Sequence, residues 1–129
     1  MDEILILGSL PETEERRILY ESMTQLCQKY TKKVYSPIDT TKFNGDRYQR
    51  ALQKIEDASL IIGEQSEPST GQGMEIGYSL RLNIPVIIVA KKGSKVSGLM
   101  KTCPSVKQII YYEDISDLEK KLENILQNL

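Results

Sequence analysis

The chain has 129 residues, of which 40% are hydrophobic and 27% are charged, and its formal net charge is −1. This length predicts one domain over residues 1–129, and the composition is typical of a soluble globular protein. The small net charge gives no general attraction to nucleic acid or acidic membranes, and no apolar run reaches the ~18 residues of a transmembrane helix. The first residues lack the features of a signal peptide. We therefore expect a cytoplasmic protein that binds neither nucleic acid nor membranes.

Apolar runs and helical periodicities alternate along the chain. Five runs predict β-strands, at residues 3–7, 33–36, 59–64, 85–90 and 106–111. Amphipathic patterns predict helices over 13–30, 46–57, 74–83 and 116–129, one helical turn over 97–102, and an irregular segment over 38–45. In the first helix, the face predicted to be buried carries Ile18, Leu19, Met23 and Leu26.

The alternation of strand and helix predicts an α/β fold with a parallel sheet covered on both faces. Five strands favour a flavodoxin-like, Rossmann-like three-layer sandwich with strand order 2-1-3-4-5. Ligands of such sheets bind at the carboxyl ends of the first and third strands. The loops at that position are residues 8–11 and 65–73, and both are rich in Gly and Ser.

The second of these loops leads into a helix N-terminus, where backbone N–H groups and the helix dipole favour an anion such as phosphate. Glu75 is predicted in the first turn of that helix, as an ionised carboxylate that faces whatever the loop holds. A structural turn explains the same pattern equally well, with glycine supplying positive φ and Ser69 or Thr70 capping the helix. Both interpretations are open at this point.

Several kinds of site are excluded by the residue types present. The chain has no histidine, so it can form neither a Ser-His-Asp system nor a histidine-based zinc site. The glycines fit neither the GxGxxG fingerprint nor a P-loop. Cys27 and Cys103 lack CxxC spacing and are predicted to be free buried thiols. We therefore predict no metal site and no cofactor, and we interpret the basic run Lys91, Lys92, Lys95 as a solvated loop.

The segment 64–77 resembles the signature loop of the nucleoside 2-deoxyribosyltransferase superfamily. The resemblance is closest to the 2'-deoxynucleoside 5'-monophosphate N-glycosidase branch. The motif residues are Pro68, Ser69, Gly71, Gly73, Glu75 and Gly77. The stretches 7–10, 15–20 and 97–100 are also similar to that branch, so the resemblance extends over nearly the whole chain.

This resemblance implies a retaining glycosyl transfer, in which Glu75 attacks the anomeric carbon of a (deoxy)nucleoside 5'-monophosphate and expels the base. Water then opens the glycosyl-enzyme ester. The residues implied to bind the substrate are Gly8, Ser9, Leu10, Ser69, Gly71, Gly73 and Ser97, with Leu10 against the base and Ser9, Ser69 and Gly71 at the phosphate. In this family Ser97 would reach into the site of a second subunit, so a homodimer is expected.

The chain departs from the family pattern at three positions. Ala51 stands where the family has an Asp near the catalytic Glu, Leu5 where it has a Tyr, and Pro11 where it has an Arg. Asp46 or Glu64 could replace the missing acid. General acid–base catalysis by such a group contributes roughly 10²–10⁴-fold to the rate. The alternatives are a non-catalytic nucleotide- or phosphosugar-binding module on the same fold, and a deoxyribosyl transferase.

Overall fold

A computed structural model describes residues 2–40, 46–67 and 69–129. Its centre is a five-stranded, all-parallel sheet in the order β2-β1-β3-β4-β5, which confirms the predicted fold class and strand order. The strands are β1 (Glu3–Leu7), β2 (Lys33–Tyr35), β3 (Leu60–Glu64), β4 (Val86–Lys91) and β5 (Val106–Tyr112).

Helices cover both faces of the sheet. They are α1 (Glu14–Cys27), α2 (Pro37–Thr40), α3 (Arg47–Asp57), α4 (Thr70–Arg81), α5 (Gly98–Thr102) and α6 (Ile115–Gln127). Side chains of α1 and α6 pack on one face of the sheet, and side chains of α3 and α4 pack on the other. None of the helices in the described parts of the chain is both long enough and apolar enough to cross a bilayer.

Each central strand is buried on both faces, as a parallel strand between two helical layers must be. In β1, Ile4 and Ile6 belong to the core under α1 and α6, while Leu5 and Leu7 belong to the core under α3 and α4. Because β1 is bonded to both β2 and β3, the chain direction across the sheet reverses beside it. The predicted crevice at the carboxyl ends of β1 and β3 follows from this pairing.

Three expectations about the helices need correction. Ile18 is 46% exposed, whereas Tyr20, which the helical pattern left out, is fully buried. The helix that carries Glu75 begins at Thr70 rather than at residue 74, because Ser69 caps it by accepting a hydrogen bond from the Gln72 amide at 3.2 Å. Residues 38–40 of the segment predicted to be irregular belong to α2, which begins at Pro37, and residues 41–45 lie outside the described residues.

The two cysteines are free, as predicted. Cys27 is buried in the core, and burial raises the pKa of its thiol to about 12. Cys103 is only partly buried, which corrects the expectation that both thiols lie in the core. Lys91, Lys92 and Lys95 are exposed, as expected of a solvated loop.

Candidate active site

Glu75 lies on a wall shared by two neighbouring cavities at the carboxyl edge of the sheet. The first, which we call the β1 cavity, is lined by Gly8 and Leu10 of the turn after β1 and by Ala51 and Glu75, together with Leu5, Ile6, Leu7, Pro37, Thr40 and Lys54. The second, the α3–α4 cavity, is lined by Tyr48, Ala51, Leu52, Gly71, Met74 and Glu75. The structure therefore brings Glu75 together with Gly8 and Leu10 on one side and with Gly71 on the other.

The two cavities differ in size. The β1 cavity has a volume of about 110 Å³, and the α3–α4 cavity has a volume of about 470 Å³. Ligand pockets usually fall in the range of roughly 300–1,000 Å³. The larger cavity reaches that range by itself, and the smaller one extends it towards the sheet. Together they form one crevice, and Glu75 lines both of its parts.

Helix α3 supplies the wall opposite α4. Ala51 lines both cavities, so the position where the family pattern has an Asp presents a methyl group to the crevice that Glu75 faces. Lys54 lies one helical turn further along and lines the β1 cavity, where its ammonium nitrogen sits 3.5 Å from the centre of the Tyr35 ring. Lys54 was missed in the sequence, although its i,i+3 spacing from Ala51 places both side chains on one helix face.

The glycines before Glu75 do not have the positive φ angles that the interpretation of this segment as a structural turn requires. Gly71 and Gly73 lie inside α4, and among the described residues the glycine with positive φ is Gly93. A Cβ built on Gly71, Gly73 or Gly77 would meet no atom within 4 Å. Glycine inside a helix costs roughly 0.5–1 kcal/mol relative to alanine, and no neighbouring atom of the described chain requires it here.

The start of α4 at Thr70 also changes the electrostatic setting of Glu75. Glu75 is the sixth residue of the helix, so it lies in the second turn rather than the first. The field of a helix dipole falls off within the first turn. The dipole therefore stabilises the charge of Glu75 less than the sequence interpretation assumed.

The turn after β1 is fixed by a tyrosine from α1. The Tyr20 hydroxyl donates a 2.6 Å hydrogen bond to the carbonyl oxygen of Ser9. A Cβ on Gly8 would lie only 2.3 Å from that hydroxyl oxygen, so the turn requires glycine at this position. Leu10, which follows, is 49% exposed and lines the β1 cavity.

Beneath this turn lies a buried network around Glu64, the last residue of β3. The Glu64 carboxylate is fully buried and accepts a 3.1 Å hydrogen bond from Arg16 Nη1, one from the Ser66 hydroxyl at 2.6 Å, and one from the Tyr112 hydroxyl. The second terminal nitrogen of Arg16, Nη2, donates to Tyr20 at 2.6 Å. The network joins α1, β3 and β5 at the same edge of the sheet as the crevice.

The ionisation of this network follows from its surroundings. Burial opposes the charge of Arg16, but the charge of Glu64 and the phenol of Tyr20 outweigh it, so the pKa of Arg16 lies above its ordinary value. Burial, and then the hydrogen bond to Glu64, raises the pKa of Tyr112 well above that of a free phenol. The network therefore holds one buried ion pair with neutral tyrosines around it.

Two residues considered as replacements for the missing acid do not line either cavity. Glu64 is enclosed in the network and has no exposed surface, which contradicts a role beside the substrate. Asp46 caps α3, where it accepts a hydrogen bond from the Gln49 amide at 3.2 Å. The structure thus uses both side chains to hold the fold together.

Several residues implied to bind substrate do not line the two cavities that Glu75 lines. The Ser9 hydroxyl donates to Glu67 at 3.0 Å, and the Ser69 hydroxyl caps α4. Ser97 caps the short helix α5, accepting from the Leu99 amide at 3.2 Å, and lines neither cavity. Gly73 is inside α4 and also lines neither one, and Pro68 of the motif lies outside the described residues. In the described ranges, no group of three or more carboxylates and thiols is placed to hold a metal ion.

Comparison of the sequence with known proteins gives relatives of one kind. The chain is 33% identical over 81 residues to a provisionally named 2'-deoxynucleoside 5'-phosphate N-hydrolase 1 from Syntrophotalea carbinolica, covering 61% of this chain and 56% of that protein. It is 23% identical over 134 residues to the 5-hydroxymethyl-dUMP N-hydrolase of Danio rerio, covering 96% and 92% of the two chains. The resemblance seen in the sequence is confirmed. No family model matches the chain, and the alignment with the first relative covers little more than half of that protein.

Solved structures show the same fold. A CMP N-glycosidase from Clostridium botulinum superposes with a TM-score of 0.70 at 20% identity, over 95% of this chain and 99% of the other. A 2-deoxyribosyltransferase from Bacillus psychrosaccharolyticus superposes with a TM-score of 0.67 at 24% identity, over 90% of both chains. The fold is therefore the one used by the deoxyribosyltransferases.

We predict that the ion pair between Arg16 and Glu64 is essential for stability. Glu64→Ala leaves the guanidinium of Arg16 buried without its carboxylate, which should lower the free energy of unfolding by about 3–5 kcal/mol. Urea denaturation measures this loss. Glu113→Ala is the control, because it breaks the exposed pair with Lys92, which is 3.3 Å long, and should change stability little. Equal losses in the two variants would contradict the prediction.

Proposed function

We propose that this chain hydrolyses the N-glycosidic bond of a (deoxy)nucleoside 5'-monophosphate, with Glu75 as the nucleophile. The observation that carries the proposal is the position of Glu75 on the wall shared by the two cavities, between the Gly8–Leu10 turn and Gly71. In this arrangement a ligand that fills both cavities must pass the carboxylate of Glu75.

The proposed reaction has two steps. One carboxylate oxygen of Glu75 attacks the anomeric carbon of the sugar as the bond to the base breaks, which gives a glycosyl ester of Glu75 and free base. Water then attacks the same carbon and releases the sugar phosphate with regeneration of the carboxylate. Two displacements at one carbon retain its configuration, as in retaining glycosidases.

The remaining groups of the crevice support this placement of the substrate. Leu10 is half exposed on the wall of the β1 cavity and offers an apolar contact to the base. The N-terminus of α4, with Ser69 and Gly71, lies on the side of the phosphate, where backbone N–H groups stabilise an anion. The open space around Gly71 and Gly73 lets a ligand approach the helix backbone. The curated relatives are named as N-hydrolases of nucleoside 5'-phosphates.

A second candidate, a nucleotide- or phosphosugar-binding module without activity, is favoured by the residue opposite Glu75. Glycosidases of this kind use a pair of carboxylates. Among the described residues that line the two cavities, Glu75 is the acidic one, and the position opposite is Ala51. A third reading, transfer of the sugar to another base, uses the same nucleophile and differs only in the acceptor that opens the ester.

The proposal includes a homodimer that acts in the cytoplasm. Ser97 caps the short helix α5 and stands two residues before Leu99, which is 83% exposed. An apolar residue of this exposure next to a hydroxyl is suited to an interface in which Ser97 reaches the phosphate of the second subunit. In such a dimer, Ser97 need not line the cavities of its own chain.

The direct test is to incubate the protein with a panel of nucleoside 5'-monophosphates and to measure free base by chromatography. We expect release by the wild type and a loss of at least about 10³-fold in Glu75→Gln, because covalent catalysis cannot proceed without the carboxylate. If the wild type is stabilised by nucleotides, by about 2.7 kcal/mol at a hundredfold excess over Kd, but releases no base, the binding module is correct. Equal release by both proteins would contradict the role of Glu75.

The position of the ligand can be tested with two glycines of the same helix. Gly77→Ala should raise the free energy of unfolding by about 0.5–1 kcal/mol without changing nucleotide binding, because alanine is the better helix former. Gly71→Ala should also fold, because its Cβ meets no atom within 4 Å, but it should weaken nucleotide binding by filling the α3–α4 cavity wall. Calorimetric titration gives both affinities. Equal affinities for the two variants would place the ligand away from Gly71.

A further inference from the structure

The carboxylate of Glu67 joins the loop after β3 to the turn after β1. Glu67 accepts a 3.0 Å hydrogen bond from the Ser9 hydroxyl, and its side chain is 61% exposed. The same carboxylate oxygen lies 3.4 Å from Nε of Arg16. Because most of the Glu67 side chain is in solvent, it can leave this position without disturbing the core.

One hydrogen-bond donor of Arg16, Nε, has no partner in the buried network. Its terminal nitrogens donate to Glu64 and Tyr20, whereas Nε is buried and makes no hydrogen bond. The Arg16 side chain is only 10% exposed, so this donor is held in place by the network. Glu67 is the group that covers it from the solvent side. A buried cationic donor and a serine hydroxyl thus both face one exposed carboxylate.

We propose that Glu67 is a displaceable stand-in for the 5'-phosphate of the substrate, and that it sets how strongly the site distinguishes a 5'-phosphate from a free 5'-hydroxyl. This inference rests on the proposed function and on the contact between Ser9 and the 5'-phosphate that the family resemblance implies. Once Glu67 moves away, Ser9 and Nε of Arg16 are the donors that receive the phosphate. Arg16 of α1 then supplies a positive charge beside this turn. The family pattern has an arginine in the turn itself, at the position of Pro11 in this chain.

The charges explain why Glu67 would control specificity. With Glu67 in place, Arg16 is flanked by two carboxylates, Glu64 and Glu67, so the position carries a net negative charge. A phosphate that approaches Ser9 meets a like charge, which is unfavourable, and must expel it before binding. A neutral 5'-hydroxyl can instead donate a hydrogen bond to Glu67. The carboxylate therefore weakens phosphate binding and leaves nucleoside binding unaffected or slightly improved.

The test compares four proteins, the wild type and the variants Glu67→Gln, Glu67→Ala and Glu113→Gln. Calorimetric titration measures the affinity of each for a nucleoside 5'-monophosphate, the matching nucleoside and inorganic phosphate. In Glu67→Gln we expect the Kd of the monophosphate to fall by about tenfold or more, with the Kd of the nucleoside changed less than about twofold. Glu67→Ala, which also removes the occupying group, should show at least the same gain. The control is Glu113→Gln, since Glu113 is similarly exposed, at 68%, and lines the same surface groove as Arg16 and Glu67.

The outcomes separate this inference from the proposed function. A tenfold gain in Glu67→Gln but not in Glu113→Gln supports the stand-in, whether or not base is released. Equal affinities in wild type, Glu67→Gln and Glu113→Gln overturn it, even if the protein proves to be an N-glycosidase. Weaker phosphate binding in Glu67→Gln also overturns it, because Glu67 would then help to hold the phosphate loop. If no variant binds the monophosphate, both proposals are wrong.

Discussion

The constraint on which the site depends is the burial of one carboxylate, that of Glu64, at the end of the third strand. A buried charge is tolerated only when it is paired and hydrogen-bonded, and removing one partner leaves the other uncompensated. Glu64 has no exposed surface and is bound by Arg16 of α1, Ser66 of the following loop and Tyr112 of β5. This requirement ties three elements, which are distant in sequence, to one edge of the sheet.

The network also determines the shape of the crevice. Through Arg16 it holds Tyr20, whose hydroxyl fixes the Ser9 carbonyl and leaves room only for glycine at position 8. Through Ser66, whose hydroxyl also accepts from the Lys91 amide at 2.7 Å, it fixes the start of the loop that leads to α4. The two loops that border the crevice are therefore anchored from below. Glu64 and Glu75 have separate tasks, since Glu64 holds the scaffold and Glu75 lines the cavities.

The sequence was most informative where local patterns decide the structure. Apolar strands alternating with helices predicted the sheet and its order, because few topologies fit that pattern. The start of α4 was misplaced because Gly71 and Gly73 have low helix propensity, whereas the capping hydroxyl of Ser69 outweighs that cost. Periodicity alone could not tell that Tyr20 is buried and Ile18 exposed, because the two lie about 100° on either side of Leu19 and the buried face could extend towards either one. The pairing of Arg16 with Glu64 joins residues 48 positions apart, and no local signal announces it.

The central claim is that Glu75 forms a covalent bond to the sugar. It is tested most directly by rapid quenching of the protein with a nucleoside 5'-monophosphate, ideally one whose sugar carries fluorine at C2 so that hydrolysis of the ester is slowed. Peptide mass spectrometry should then show the mass of the sugar phosphate on Glu75, with free base formed in equal amount. Release of base with Glu75 unmodified, or with the adduct on another residue, would contradict the account.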